Sequence, residues 1–417
     1  MAKSSIKKII IVLLNVVLYF IYGKCLLPIL ISSIIAYYFG KVIEKDKNLL
    51  LVGSVYLLIL LPLVFYKYLV NIIGINILIP LGISYYTLEL LSYISDIYHN
   101  RYKSCNNIID FLLYSLYFPC LFIGPINRYD DFSKRIDNIK INKEKVFESI
   151  LRICLGLVKK YIVANKLSII ILSLSQDTSL TGLYVLFGCI IYSVFLYCDF
   201  SGGIDMVLGI SKLFNIELVE NFNKPFLSES IKEFWQRWHI SLGTWLKNYI
   251  YIPLGGNREG VIKTKLNVIF TFIISGIWHG IHYILWGIIN GIFVAFNHKT
   301  KYKTLNIILT FLIISLLWIF FIYNDTFLSI KMFVSIFKLG SFDIANLGLS
   351  IFDYIIVIVF FSLICIYELR KDIIDLYLNK KSSSIKLIII LAIILLVLLF
   401  GNYGLDVNSN NFVYGSF

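Results

Sequence analysis

Charged residues are scarce in this chain. Asp, Glu, Lys and Arg make up 15% of its 417 residues, whereas soluble domains carry roughly a quarter. Hydrophobic residues reach 59%, and the mean hydropathy is +0.82. This composition excludes a soluble globular protein and predicts an all-α, polytopic membrane protein.

Paired cysteines are also missing. The seven cysteines are scattered through apolar runs without any Cys-x-x-Cys spacing, which excludes a disulfide framework and a cysteine-based metal site. Tandem repeats, low-complexity linkers and a polar stretch long enough to fold alone are absent too. We therefore expect a single membrane domain over residues 1–417. No small-residue cleavage site follows the first apolar run, so we expect its helix to remain as an anchor.

Apolar segments near the length needed to cross a bilayer recur along the chain. Several are too short to span untilted, so we expect about ten or eleven crossings. The candidate segments are residues 9–22, 25–40, 48–70, 76–98, 106–126, 150–172, 180–212, 266–281, 283–298, 304–323, 328–338, 350–369 and 385–401.

Positive charge exceeds negative charge, with a formal net charge of +13. In a membrane protein this excess predicts loops on the cytoplasmic side of the membrane rather than nucleic-acid binding. The basic clusters are residues 3–8, 41–47, 99–103, 128–145, 212–265, 299–303 and 370–386. A single helix over 106–126 would put two basic loops on opposite sides, and Pro119 and Gly124-Pro125 lie within it. We therefore expect a bent, re-entrant or interfacial element there.

Charges alternate with aromatic residues over 212–265, a composition typical of interfacial helices. We expect short helices there that wrap a central cavity or tunnel. On one continuous helix, Trp235, Trp238, His239 and Leu242 would share a face, with Arg237 elsewhere. The helix would end near Pro253. An ordinary interfacial helix with a hydrogen-bonded histidine is the alternative.

His279 follows Gly276-Ile277-Trp278 in a strongly apolar run. Intramembrane ionisable groups are costly and usually functional, and histidine exchanges protons near neutrality. We expect the flanking glycines to leave its ring approachable. A buried structural histidine is one alternative. A metal site with His282 is another, although no Asp, Glu or Cys lies nearby to complete it.

Two further groups of polar residues interrupt apolar runs. Asp199, Ser201 and Asp205 lie in the segment 180–212, where carboxylates are expected to find partners. A transporter would show the same pattern. Glu89 and Asp96 lie in 76–98, where polar contacts between packed helices explain them better.

Several motifs, in this order and spacing, resemble the membrane-bound O-acyltransferase family. They are PLGISYYT at 80–87, FIGPINRY at 122–129, DFSG at 199–202, NFNKP at 221–225, RWHIS at 237–241, YIPLGGNR at 251–258 and GIWHG at 276–280. The resemblance is strong over 75–300, and the tail 411–417 is similar in character. The run ending in Asn257-Arg258 is closest to bacterial polysaccharide O-acetyltransferases of the alginate-acetylating type. One departure is Asn290, where a histidine is often found.

The resemblance implies that His279 is catalytic. An imidazole can act as general base while a hydroxyl attacks a thioester, and His239 can orient a substrate or stabilise the oxyanion. The donor would be cytosolic acetyl-CoA or a phosphopantetheine thioester, used as substrate without a bound cofactor or metal. A tunnel with His279 near its middle would let the acyl group cross the bilayer.

The expected substrate-binding residues are Trp238, Trp278, Arg237, Asn257, Arg258, Asp199 and Ser201. Arg237, Lys247 and Arg258 suit donor phosphates, although the cytoplasmic excess of positive charge explains them equally well. The expected partners are the lipid bilayer, an extracytoplasmic acyl-delivery protein and a polysaccharide acceptor. D-alanyl transfer from a carrier protein to teichoic acid, and solute transport through Asp199 and Asp205, are the alternative functions.

Overall fold

The computed structural model describes residues 2–22, 25–73, 77, 79–137, 139–297, 299–323, 325–338, 340 and 342–403. Every named element among these residues is a helix. The predicted all-α architecture is therefore confirmed. The tail 411–417, whose character resembles the family, lies outside the described residues.

The α-helices follow one another in this order: α1 (Ala2–Tyr22), α2 (Leu27–Lys45), α3 (Leu49–Val64), α4 (Val70–Ile73), α5 (Ile83–Tyr98), α6 (Ile108–Ser115), α7 (Phe118–Ile123), α8 (Tyr129–Ile136), α9 (Val146–Leu157), α10 (Asn165–Gln176), α11 (Leu183–Leu213), α12 (Ile231–Arg237), α13 (Ile240–Leu246), α14 (Val261–His279), α15 (Ile284–Ala295), α16 (Lys303–Leu317), α17 (Ile319–Ile322), α18 (Thr326–Ser335), α19 (Ile351–Leu369), α20 (Lys371–Asn379) and α21 (Ser383–Phe400).

Seven helices in the described part of the chain are long and apolar enough to cross a membrane. They are Leu27–Lys45, Leu49–Leu69, Leu183–Leu213, Val261–His279, Lys303–Ile322, Ile351–Leu369 and Ser383–Phe400. Three shorter apolar segments, Ile108–Ile123, Ile281–Ala295 and Thr326–Ser335, accompany them. The polytopic character is thus confirmed. The total of ten or eleven crossings, which counts shorter helices as well, stays a prediction.

The segment 106–126 is not one continuous helix, which agrees with the irregular element that its prolines and the charge of its flanking loops predicted. It forms two short helices, α6 and α7, which are separated at Leu116 and Tyr117. Pro119 lies at the start of α7, where its missing N–H costs nothing. Gly124 ends α7 with a φ of 88°, a conformation that glycine adopts readily.

Close backbone contacts join the helices around the two polar regions. A Cβ atom on Gly287 would lie 2.4 Å from the Phe272 carbonyl oxygen, so α14 and α15 touch backbone to backbone. A Cβ atom on Gly156 would lie 2.5 Å from the Gly202 carbonyl oxygen, so α9 and α11 are equally close. The first contact supports His279 at the end of α14. The second brings the lysines that follow α9 next to the carboxylates of α11.

Candidate active site

His239 lies at a break between two helices, where the sequence predicted one continuous helix. The helix α12 ends at Arg237, Trp238 is extended, and His239 has a left-handed backbone with a φ of 48°. A new helix, α13, begins at Ile240. The expected shared face of Trp235, Trp238, His239 and Leu242 is therefore wrong. Short helices over 212–265 are confirmed.

The break is stabilised by the segment 221–223, which belongs to another of the motifs. The Ile240 N–H donates to the Asn221 carbonyl oxygen at 3.0 Å, and the Ser241 N–H donates to Asn221 Oδ1 at 2.9 Å. The Asn223 N–H donates to the Arg237 carbonyl oxygen at 3.0 Å. These bonds satisfy amide groups at the start of α13 that have no partner within the helix. Local helix periodicity could not predict the break, because the segment that forms these hydrogen bonds is distant in sequence.

Both histidines contact the indole of Trp278. The Trp278 ring lies 6.1 Å from the His239 ring and 4.7 Å from the His279 ring, between centroids. All three side chains are buried. The two histidine motifs, RWHIS and GIWHG, thus meet in one site. Trp238 contacts the same region through Phe200, which lies 4.8 Å from the His239 ring.

His279 is surrounded by aromatic rings. Besides Trp278, the rings of Trp286, Phe321 and Tyr283 lie 5.6, 5.7 and 6.4 Å from it. The flanking glycines do not leave the ring approachable, contrary to the expectation. A Cβ atom on Gly276 would meet the Tyr283 carbonyl oxygen at 2.5 Å, so this glycine serves the turn into α15 instead.

Burial keeps His239 uncharged at neutral pH. Desolvation lowers the pKa of this imidazole to about 3, because a charged ring would lose its hydration in this aromatic environment. A neutral ring can donate one hydrogen bond and accept another. His239 is therefore suited to orienting a substrate or stabilising developing negative charge rather than to carrying a fixed positive charge.

A basic cavity of about 570 Å³ lies between α12, α13, α14 and α15. Lys232, Lys247 and Lys265 line it together with apolar and aromatic side chains such as Trp235 and Phe272. We call it the lysine cavity. Its lysines all belong to regions that the charge pattern assigns to the cytoplasmic side.

Two indoles in contact connect the lysine cavity to His279. Trp235 lines the cavity, its ring lies 5.4 Å from that of Trp286, and the Trp286 ring contacts His279. Trp235 Nε1 donates to Asn290 Oδ1 at 3.1 Å. Asn290, the position where the family resemblance suggested a histidine, thus holds an indole in place. The predicted passage to His279 stays a prediction.

The other expected substrate-binding residues of this region lie elsewhere. Arg237 donates to Glu233 at 2.7 Å. Asn257 and Arg258 are exposed, and Arg258 bonds the carbonyl oxygens of Gly255 and Ile252 in its own turn. None of the three is among the residues that line the lysine cavity. Their contact with a donor stays a prediction.

Asp199 and Ser201 belong to a second, strongly charged region. Asp199 pairs with Lys160 at 2.5 Å, while Asp205 pairs with Arg152 at 3.1 Å and Lys159 at 2.8 Å. The expectation that these carboxylates have partners is confirmed. Ser201 and Asp205 line a cavity of about 390 Å³ beside this network. Since the carboxylates are matched by cations within the protein, the network ties α11 to the helix that carries the lysines.

Glu89 and Asp96 make the expected contacts between packed segments. Glu89 accepts the Asn127 N–H at 2.8 Å, and Asp96 accepts from Arg101, Arg128 and Tyr249 at 2.6, 3.0 and 2.7 Å. The motif at 122–129 is thereby attached to α5.

A metal site with His282 finds no support. His279 is buried whereas His282 is exposed, so the two rings do not share an environment. Among the residues that the structure describes, no three His, Cys, Asp or Glu side chains form a group that could hold a metal ion.

Sequence reasoning missed Lys67, which lies in the apolar run 48–70. Its ammonium donates to the Trp278 carbonyl oxygen and to Ser84 Oγ at 3.3 Å. The signal was present, because a lysine inside a membrane segment is itself unusual. Trp286 was missed as well, since one tryptophan among apolar residues gives no sign of its neighbours.

Comparison with known proteins identifies a family for this chain. The family model of the membrane-bound O-acyltransferases matches residues 100–337. A probable alginate O-acetylase of Pseudomonas syringae is 35% identical over 324 residues, which cover 74% of this chain and 61% of that protein.

Two relatives carry other names. A peptidoglycan O-acetyltransferase of Helicobacter pylori is 31% identical, over 75% of this chain and 70% of that protein. A teichoic acid D-alanyltransferase of Bacillus subtilis is 29% identical, over 55% of this chain and 64% of that protein. The chain spans about three fifths of the length of the alginate O-acetylases that it matches.

Proposed function

We propose, because this chain belongs to the membrane-bound O-acyltransferase family, that it transfers an acyl group from a cytosolic thioester across the membrane for the O-acylation of a polysaccharide. Acetyl is the acyl group that we favour, since the alginate and peptidoglycan relatives are both named for O-acetyl transfer. The observation that carries the proposal is the meeting of His239 and His279 at the indole of Trp278.

In the proposed reaction His279 is the general base. Its imidazole takes the proton of the acceptor hydroxyl while the oxygen attacks the thioester carbon. A C–O bond forms, the C–S bond breaks, and the imidazolium returns the proton to the leaving sulfur. A positioned imidazole contributes roughly 10²–10⁴-fold to such a step. His239 is the proposed hydrogen-bond donor to the oxyanion, a role that suits a neutral ring.

The lysine cavity is the proposed entrance for the donor. Lysine ammonium groups at its wall can attract the phosphates of coenzyme A or of a phosphopantetheine arm, and the apolar side chains suit the uncharged part of such an arm. The cavity adjoins α14 from Thr264 to Phe272, whereas His279 is the last residue of this helix. At a rise of 1.5 Å per residue, His279 lies about 10 Å along the axis from Phe272 and about 22 Å from Thr264. This separation supports a donor that enters on one side of the membrane and an acceptor that arrives from the other.

The proposed path requires Trp235 to move. We infer that its indole, which is bonded to Asn290 and contacts Trp286, closes the inner end of the lysine cavity towards His279. Closure of this kind protects a reactive thioester from water until an acceptor is bound. Opening would admit the thioester end of the donor to the aromatic site.

D-alanyl transfer is the second proposed function. The relatives named teichoic acid D-alanyltransferase support it, although the aligned part of the Bacillus protein covers less of this chain than the O-acetyltransferases do. The donor would then be a charged carrier protein. In both cases an extracytoplasmic protein is the proposed partner that delivers the acyl group to the polysaccharide.

Purified protein incubated with labelled acetyl-CoA and, separately, with a D-alanyl-charged carrier tests the two donors. We expect the native chain to transfer label from acetyl-CoA to a hydroxyl acceptor, and we expect His279→Ala not to do so. Transfer from the carrier alone would favour the second function. A transporter would replace both proposed functions if two results were found together. Asp199→Asn would have to abolish the uptake of a solute, and His279→Ala would have to leave the surface esters unchanged.

A further inference from the structure

Lys67 lies in a widened turn at the end of the third helix. Residues Phe65–Leu69 continue α3 as a π-helical turn, and the whole stretch Leu49–Leu69 is apolar enough to span a membrane. A lysine in such a stretch is costly and usually has a functional partner. π-helical turns, which are rare, occur frequently at functional sites. Lys67 therefore needs an explanation that the fold alone does not provide.

The side chains of Lys67 and Tyr68 hold the end of the helix that carries His279. The Lys67 ammonium donates to the Trp278 carbonyl oxygen, and the Tyr68 hydroxyl donates to the Ile277 carbonyl oxygen. Both carbonyls lie in the last turn of α14, where no further N–H group of the helix can reach them. A cation at this end also interacts favourably with the helix dipole.

The start of α5 completes this attachment. Ser84 Oγ accepts a hydrogen bond from Lys67 at 3.3 Å, and the Ser84 carbonyl oxygen accepts one from Trp278 Nε1 at 3.3 Å. The Lys67 ammonium also lies 5.3 Å from the centre of the Trp278 ring, within range of a cation–π contact. Lys67 and Ser84 thus hold both the main chain and the indole of Trp278.

Since Trp278 adjoins His279 in sequence and contacts both histidines, its position determines theirs. We infer that Lys67 is a positioning residue of the acyl-transfer site, which acts through the last turn of α14 to hold His279 in its reactive orientation. This inference rests on the proposed function. Tyr68 and Ser84 assist Lys67, which explains why the motif at 80–87 begins beside the site.

The test compares Lys67→Met, Lys67→Arg and Tyr68→Phe with the native full-length chain in detergent. A displacement of about 1 Å at a reacting group can cost about 100-fold in rate. We therefore expect Lys67→Met to lower kcat by about 10- to 100-fold with donor KM nearly unchanged. Lys67→Arg, which keeps a cation and its donors, should recover part of the rate. Tyr68→Phe should have a smaller effect of the same kind.

Lys41→Met is the matched control. Lys41 also lies in a candidate span, bonds Tyr37 at 2.7 Å and lies 4.1 Å from the centre of that ring, but both contacts stay within α2. We expect the kcat of Lys41→Met to remain within about twofold of the native value. This control distinguishes the loss of any lysine–tyrosine contact from the loss of the hydrogen bond that attaches Lys67 to α14.

A second measurement keeps the inference independent of the assigned donor. Diethyl pyrocarbonate modifies accessible imidazoles, and the rate at His279 can be followed by mass spectrometry. We expect faster modification of His279 in Lys67→Met than in the native chain or in Lys41→Met, at equal thermal stability. Unchanged labelling together with unchanged kcat would overturn the inference. If no donor supports transfer in the native chain, the proposed function fails, and the labelling alone decides whether Lys67 holds His279.

Discussion

Two regions of this protein bury polar side chains between apolar helices, and they do so in opposite ways. Around His239 and His279 the neighbours are aromatic rings, among them Trp278, Trp286 and Phe200. Around Asp199 and Asp205 the neighbours are the cations of Lys159, Lys160 and Arg152. Both regions interrupt apolar sequence, and both resemble family motifs, yet their physical chemistry differs.

The difference follows from what each side chain loses on burial. An imidazole can shed its proton and remain neutral, so it tolerates an aromatic environment without a counter-ion. A carboxylate that stays ionised needs a cation beside it. A neutral ring can still accept a proton from a substrate, whereas a carboxylate paired with lysine is a structural tie. The histidine region is therefore the better candidate for chemistry and the carboxylate region for holding helices together.

The largest effect on activity is expected for His279→Ala. Without the proposed base, acyl transfer per folded molecule should fall by about 10²–10⁴-fold, and the unfolding temperature in detergent should also fall because a buried ring is removed. Transfer of label from the thioester to the acceptor measures the rate. The control is His282→Ala, because this exposed histidine lies three residues away and outside the aromatic site. Full activity of His279→Ala would end the distinction drawn between the two regions.

Breaking the Asp199–Lys160 pair should chiefly reduce stability. Asp199→Asn leaves a buried lysine without its counter-charge, and removing one partner of a buried ion pair costs about 3–5 kcal/mol. The expected result is a lower unfolding temperature in detergent with a nearly native rate per folded molecule.

The double variant Asp199→Leu, Lys160→Met provides the control for that pair. It removes both charges, so most of the lost stability should return. If the double variant regains stability but has lost acyl transfer, Asp199 takes part in the reaction and the two regions form one site.

The sequence predicted the class of fold and the two histidines because those signals are local. Apolar runs, basic loops and an ionisable group at bilayer depth can each be recognised within a short window. The break at Trp238–His239 could not be predicted, because it depends on hydrogen bonds that the Ile240 and Ser241 amides donate to Asn221, which is distant along the chain. The attachment of Lys67 to Trp278 also joins distant segments, and helix periodicity contains no information about it.

A smaller effect is expected at the indole that closes the lysine cavity. Trp235→Phe keeps a ring but removes the hydrogen bond to Asn290, which contributes about 1 kcal/mol. The closed position of the indole should become less stable by the same amount. Hydrolysis of the donor thioester in the absence of an acceptor should therefore rise by about fivefold. The rate of hydrolysis is measured from the amount of free thiol released over time.

Asn290→Ala tests the same hydrogen bond from the other partner. It should raise hydrolysis similarly, and the double variant should add little, because both changes remove one interaction. Independent, additive effects would indicate that the indole does not close the cavity through this bond. Unchanged hydrolysis in both single variants would show that another element shields His279.

The smallest effect is expected at the wall of the lysine cavity. Lys265→Gln removes one cation that can attract donor phosphates, and a partly exposed ion pair contributes about 0.2–1 kcal/mol. Donor KM should therefore rise by less than about fivefold with kcat unchanged, and the increase should shrink as salt is added. Lys263→Gln is the matched control, since Lys263 lies in the same turn of α14, pairs with Glu259 and does not line the cavity. Equal effects of the two variants would mean that the donor responds to the charge of the whole surface. The lysine cavity would then not be the entrance for the donor.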